Sequence, residues 1–355
     1  MLTVLIPAHN EGHKVNSTAP PQITETLESL DNQTARPDRI IVLADNCTDD
    51  TIELAQQGCV EVFETVGNID KKAGALNQWL NTHLSELTQS DLVMVMDADS
   101  ALNPDFLDNA LGYIAKGYHA VGGVFLGKEG GGFVGTLQRN EYARYARDVA
   151  RKDGKTLVLT GTATVFTVQC LRDVVDGRTN GDLPLAGDVS QVYDTKALTE
   201  DNELTFALLH LGYKIIAPPE CGLKTEVMES WQDLWKQRYR WKRGAIENNW
   251  HYGFTRYTAK YWGLQIWGMI GILVTVAYLA IVTYAIASDG LHLQIIWMAV
   301  TAIFVIERVV TVHMRGLKQM VLAGSLIVEM PYDVWLQACQ TWALVSSVFR
   351  TRTNW

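Results

Sequence analysis

Asp97 and Asp99 stand one residue apart where the apolar run in "LVMVMDADS" (92–100) stops. Two carboxylates offered to one small volume suit a hard divalent cation, since Mg²⁺ and Mn²⁺ prefer oxygen ligands. An ordinary strand-end turn would explain the same triplet, so its company has to decide. "ADNCTDDT" (44–51) sets Asp45 where a carboxylate could accept from a base N–H or a ribose hydroxyl. "KKAGALN" (71–77) places Lys72 and a glycine at a helix start, a combination suited to phosphate oxygens. "TED" (199–201) opens a helix with two adjacent carboxylates, Glu200 and Asp201. "QRYRW" (237–241) puts Gln237, Arg240 and Trp241 on one helical face, by their i, i+3 and i+4 spacing.

The elements around these clusters predict an α/β fold. "LTVLIP" (2–7), "RIIVLAD" (39–45), "VEVFET" (60–65) and "LVMVMD" (92–97) read as short, continuously apolar strands. Helical patterns over 22–30, "DDTIELAQQG" and "KKAGALNQWLNTHLSEL" separate them. That alternation is the mark of a mostly parallel sheet covered on both faces, in which ligands bind beyond the carboxyl ends of the strands. "AHNE", "DNCTDD" and "DADS" would then share one rim. Asp49 and Asp50 serve equally well as helix caps ahead of "TIELA". The glycines of "GGVFLGKEGGGFVG" fit no phosphate-binding spacing and read as a mobile loop, followed by a helix over "TLQRNEYARYARDVARK". "TLVLTGTATVFTV" (156–168) reads as a strand pair or one buried strand, and a helix capped by Thr199 or Asp201 follows.

The chain has 355 residues and a net charge of −9, which argues against a nucleic-acid partner. From Trp262 onward only four acids and five bases occur in 94 residues, so a polar domain precedes a greasy one. Five scattered cysteines without C-x-x-C spacing point to a reduced compartment and away from a thiolate metal site. The opening "LTVLIPA" lacks the basic start and cleavage site of a secretory signal. Residues 262–287 carry no charge and are long enough to span a bilayer; "LHLQIIWMAVTAIFVI" after "SDGL" reads as the return. Arg256, Lys260, Arg308, Arg315 and Lys318 flank the outer ends of this hairpin, which predicts an integral membrane protein with a cytoplasmic polar domain. The interrupted stretch 317–348, with Glu329, Pro331 and Asp333, reads as an interfacial helix.

The ordered set of motifs over residues 2–250 resembles the membrane-embedded family-2 glycosyltransferases, among them cellulose, hyaluronan and poly-N-acetylglucosamine synthases. The resemblance implies a GT-A type nucleotide-sugar-binding domain, a UDP-sugar donor, Mg²⁺ or Mn²⁺, and inversion at the anomeric carbon. It implies that Asp45 reads the uracil with Glu11 near the nucleoside, that Lys72 lies beside the nucleotide, and that Asp99 with Asp97 holds the metal. Asp201 would be the general base with Glu200 orienting, and Gln237, Arg240 and Trp241 the clamp, Trp241 stacking on the acceptor sugar. Thr160 and Gly161 of "TGTATVF" take the acceptor side, and "FRTRTNW" (349–355) resembles a gating segment. The chain then divides into a catalytic domain (1–228), an amphipathic region with QRYRW (229–261), a transmembrane hairpin (262–316) and an interfacial helix with its tail (317–355).

The chemistry requires these residue types. A departing UDP gathers negative charge that a cation and an arginine neutralise, and an attacking hydroxyl needs a base across the sugar ring. The long synthases start with transmembrane helices and carry more after the catalytic part. This sequence opens on a strand, which favours adding one or a few sugars to a glycan, lipid or protein-linked acceptor unless a homo-oligomer builds the pore. Two rivals share parts of the pattern: a polyprenyl-phosphate glycosyltransferase, and a catalytically inactive membrane protein that binds nucleotide sugars. The TED and Q-x-x-R-W segments oppose the first, and the complete set of charged positions opposes the second. Two helices leave a transporter little room for a midplane site.

Overall fold

The computed structural model describes residues 1–12, 20–58, 60–184, 187, 189–288 and 295–349. Two compact units divide the chain: 1–128 with 148–226, and 129–147 with 227–355.

In the first unit the order is β1 (Leu2–Ala8), α1 (Gln22–Asp31), β2 (Arg39–Ala44), α2 (Thr51–Gln57), β3 (Glu61–Glu64), α3 (Lys71–His83), β4 (Leu92–Met96), β5 (Ala101–Leu102), α4 (Phe106–Ala115), β6 (Ala120–Gly122) and β7 (Val124–Gly127). Next comes α5 (Gly132–Arg151), which lies mostly in the second unit, and the first unit resumes with β8 (Ala163–Thr167), α6 (Val168–Thr179), α7 (Glu200–His210), β9 (Ile215–Ile216) and β10 (Gly222–Thr225). The large sheet has the order β3-β2-β1-β4-β8-β6-β9. β3, β2, β1 and β4 are parallel, as their uninterrupted apolar runs require: Val4, Leu5, Ile6, Val42 and Leu43 are fully buried. β8 runs antiparallel to β4, with Ala163 opposite Met96, and so delivers residues 160–162 to the rim where β4 ends. Asp97 donates its backbone N–H to Thr162 O at 3.1 Å.

Two expectations need correction. The glycine-rich stretch is not one loop: Val124–Gly127 pairs with β10 in a small sheet of order β5-β10-β7, and α5 already begins at Gly132. Within 156–168 only Ala163–Thr167 is a strand, because the residues before it turn along the rim.

The second unit contains α8 (Trp231–Tyr252), α9 (Ala259–Ser288), α10 (Ile295–Val312), α11 (Leu317–Gly324) and α12 (Leu326–Val348). α9 is, among the described residues, the one helix long and apolar enough to cross a bilayer. Its 30 residues extend about 45 Å at 1.5 Å per residue. Gly268 of α9 lies against the Gln340 side chain of α12, where a Cβ would collide. The "SDGL" turn beyond Ser288 and the "FRTRTNW" tail beyond Phe349 fall outside the described residues.

The acids that interrupt the last greasy stretch have partners. Glu141, Arg144 and Arg147 recur along α5 at helical spacing. Glu141 binds Arg238 of α8 at 2.9 Å and accepts from the Tyr332 hydroxyl of α12 at 2.7 Å. Arg144 binds Glu329 at 2.9 Å, and Arg147 reaches Glu307 of α10 at 3.4 Å. Arg308, one of the positive charges flanking the hairpin, pairs with both Glu329 and Asp333. Trp231 and Trp235 pack edge-on against Trp335, each with ring centroids 5.3 Å apart.

Candidate active site

One corner of the rim is built where β1 and β2 end in register, Ala8 opposite Ala44. Asp45, next in the chain, is buried, and its Oδ1 takes three hydrogen bonds: Thr65 Oγ1 and Asn68 Nδ2 at 2.8 Å and Asn46 Nδ2 at 2.9 Å. The His9 ring bonds the Asp45 carbonyl through Nδ1 at 2.6 Å. Residues 10–12 thread into the β2–α2 loop: Asn10 Oδ1 accepts from Thr48 N–H at 2.7 Å, and Asp49 Oδ2 from Gly12 N–H at 2.8 Å. Asp49 also accepts from Thr51 N–H at 3.1 Å, whereas Asp50, at the N-cap position, makes no side-chain cap bond. Of the two cap candidates, Asp49 holds the helix start.

Asn68 ties this corner to α3, donating to Lys71 O at 2.8 Å. Its side chain fills the space a Cβ on Gly74 would occupy, which explains the glycine of "KKAGALN". Lys72 then projects to the sheet rim. Its ammonium pairs with Asp97, donates to Gly161 O at 3.0 Å and lies 3.8 Å from Glu200. Burial works against that ammonium, but Asp97 and Glu200 outweigh it and raise its pKa above the ordinary lysine value. Asp97 titrates at about 6, raised by burial and by Asp99 and held down by Lys72.

Asp99 faces a second group of acids. Its pKa is raised by burial and then by Glu226; Lys128 and the hydroxyls of Ser100 and Thr225, at 3.1 and 3.3 Å, oppose the rise. Glu11 belongs to the same group: burial first, then Asp99, Glu226, Asp97 and Asp49, push it to about 7. The small sheet positions Lys128 and Glu226. β7 and β10 are parallel with Gly127 opposite Thr225, so the residue after each lands beside Asp99. Lys128 is also bound by Glu25 at 2.7 Å. Sequence reasoning singled out neither Lys128 nor Glu226, since strands of two to four residues leave no periodic signal. Among the described residues no three His, Cys, Asp or Glu side chains stand at metal-ligand spacing. An excess of hard oxygen charge around Asp99 nevertheless fits a divalent ion of the Mg²⁺ type, which one or two carboxylates and a ligand's phosphates can hold.

A further group forms where the turn before β8 meets α7. Asp201 Oδ2 accepts Gly161 N–H at 3.0 Å, and Oδ1 accepts Asn202 N–H at 2.7 Å. Burial and the neighbouring Glu200 raise Asp201 to about 6, against Lys72 and the two N–H donors. Lys72, Thr160, Gly161, Tyr193, Glu200 and Asp201 line one cavity over an apolar floor. The Thr160 hydroxyl bonds that of Thr162 at 2.7 Å. Within the first unit, then, Lys72, Asp97, Gly161, Glu200 and Asp201 converge.

Gln237, Arg240 and Trp241 lie on α8, in the second unit. Arg238, the residue between them, is buried and forms the pair with Glu141, and its guanidinium stacks 4.4 Å over the Trp241 ring. Gln237 Oε1 accepts from the same guanidinium. Arg240 is exposed and, among the described residues, makes no hydrogen bond or ion pair.

Poly-beta-1,6-N-acetyl-D-glucosamine synthase of Staphylococcus aureus (strain COL) is 25% identical over 258 residues, covering 69% of this chain and 55% of that protein. Probable glycosyltransferase YdaM of Bacillus subtilis (strain 168) is 27% identical over 265 residues, covering 68% and 54%. The chain spans about half the length of these curated relatives. Mannosyltransferase PcManGT from Pyrobaculum calidifontis, in complex with GDP-Man and Mn²⁺, superposes over 99% of this chain and 88% of its own, with TM-score 0.63 and 17% identity. At that identity the likeness is one of fold, and the fold is GT-A-like. The family described as glycosyltransferase like family 2 matches residues 2–244, well over half of the 355, and the chain belongs to it.

Proposed function

We propose that the chain is an inverting, metal-dependent glycosyltransferase that moves a sugar from a UDP-sugar to a hydroxyl of a glycan or lipid acceptor at the cytoplasmic face of a membrane. The observation that carries this reading is the cavity where Lys72, Gly161, Glu200 and Asp201 meet. It joins a carboxylate poised to take a proton to a cation for departing phosphate. Asp45 and Glu11 serve the nucleoside end, and Asp99 with Asp97 nearby would hold the divalent cation. Gln237 and Arg240 are assigned to the diphosphate, and Thr160, Gly161 and Trp241 to the acceptor. When bound, the cation neutralises charge that builds on the diphosphate as the glycosidic bond breaks. Asp201 takes the proton of the attacking hydroxyl, and the Gly161 and Asn202 N–H groups fix its orientation. Glu200 shares the Lys72 ammonium. A single displacement needs one base, and Asp201 supplies it. α9, long and apolar enough to cross a bilayer, supports attachment to a membrane.

The test is nucleotide release by the full chain with a panel of UDP-sugars. UDP-N-acetylglucosamine is included on account of the S. aureus relative's name, and GDP-mannose on account of the ligand bound to the Pyrobaculum enzyme. One donor should turn over, EDTA should stop it, and Mn²⁺ or Mg²⁺ should restore it. EDTA-insensitive release, or silence with every donor, would overturn the reading.

Gly161→Ala separates position from fold. The new Cβ would lie 2.7 Å from Lys72 Nζ, at the far end of a flexible side chain. Because the group that must move is the end of a flexible side chain, thermal stability should fall only within the ordinary range for a point substitution, roughly 0.5–3 kcal/mol. Turnover should fall roughly tenfold or more as Lys72 leaves Asp97, given what one preorganised charged contact contributes. Equal loss of stability and activity would argue for a purely structural Gly161.

A further inference from the structure

The segment Gln191–Tyr193 is gripped from two helices. Asn77 of α3, 2% exposed, donates Nδ2 to Tyr193 O and to Gln191 Oε1, both at 2.8 Å, and its Oδ1 accepts Tyr193 N–H at 3.0 Å. Arg178 of α6, also buried, donates Nη2 to Val192 O at 3.0 Å while pairing with Glu203 of α7. These backbone bonds fix a tyrosine that is only 4% exposed and whose ring lines the cavity of Lys72, Gly161, Glu200 and Asp201. Its hydroxyl has no hydrogen-bond partner among the described residues, and its oxygen is not sealed off. A buried tyrosine O–H ordinarily finds a partner. Here the nearest strong charges are Glu200 and Asp201, which with burial keep the phenol protonated and therefore a donor. Val95, Leu159, Phe166 and Leu204 line the same cavity and offer the hydroxyl no polar partner, whereas Asp201 stands in its wall.

We propose that Tyr193 contacts the acceptor, its phenol hydroxyl hydrogen-bonding a hydroxyl of the incoming sugar beside Asp201. The inference rests on the glycosyl-transfer reading above. Tyr193 recognises the acceptor and takes no part in binding the donor, and the Asn77 and Arg178 bonds are the reason its ring keeps that aim.

Tyr193→Phe removes one oxygen and leaves every backbone bond of the clasp. The readout is the partition of a radiolabelled donor's sugar between acceptors in the native membrane and free sugar released by water, with the donor KM measured alongside. The ratio of transfer to hydrolysis should fall about tenfold, the effect of one good hydrogen bond, with the donor KM unchanged. A merely structural tyrosine would lower transfer and hydrolysis together, and that result overturns the proposal. So does an unmoved ratio with a fully active variant. A wild-type protein that consumes no donor sinks the transferase reading instead, and the acceptor contact with it.

Discussion

Asp201→Asn should abolish sugar transfer, lowering turnover by roughly 10²–10⁴-fold, while leaving nucleotide affinity close to the wild-type value. The amide keeps the size of the carboxylate and can still accept the Gly161 N–H, but it cannot take a proton. The pH profile gives an independent check. With Asp201 held near 6 by burial and Glu200, the base is ionised above that pH and protonated below it. Turnover should therefore rise roughly tenfold per pH unit on the acidic side and level off above about pH 6–7. Calorimetry with UDP supplies the discriminating measurement: if Asp201→Asn loses UDP binding as well as turnover, Asp201 leaves the base role.

Glu203→Ala should cost about 3–5 kcal/mol of stability, the usual effect of stranding one member of a buried ion pair. Arg178 and Glu203 are 0% and 1% exposed and bidentate, at 2.7 and 3.1 Å. Removal of the carboxylate takes both of those bonds from a guanidinium that stays enclosed. In a unit of this size that lowers the unfolding midpoint by roughly 6–20 °C. Replacing both residues together, Arg178→Met with Glu203→Leu, should lose markedly less, since no uncompensated charge remains. Scanning calorimetry of the single and double variants tests this; a single variant within about 1 kcal/mol of wild type would refute it. Glu203 stands two residues after Asp201, so the pair also seats the helix that carries Asp201.

Much of this site was legible in the chain because parallel strands advertise themselves. Val4–Ile6, Ile41–Leu43 and Val93–Met96 are apolar on both faces, and Asp45 and Asp97 stand just beyond the second and third of these runs. The acidic surroundings of Asp99 were not legible. They depend on β5, β7 and β10, of two, four and four residues, too short for alternation to register. The clasp was hidden for another reason. Asn77 looks like the tail of a lysine motif, yet its partner Tyr193 lies 116 residues away, and only the fold brings the two together. Glu329 and Asp333 read as interruptions of a greasy stretch, whereas both answer Arg308 of α10 and Glu329 also answers Arg144, 185 residues away.

The ladder of Glu141, Arg144 and Arg147 bears on synthesis of the protein. Arg144 waits for Glu329, 185 residues downstream, and Glu141 waits for Tyr332, 191 residues downstream. At about 5–20 residues per second a ribosome needs roughly 10–40 s to supply them. Until then the α5 ladder is answered only in part, by Arg238 from 97 residues downstream, so the second unit completes these pairs only once translation has passed α12, long after the strands of the first unit have been made.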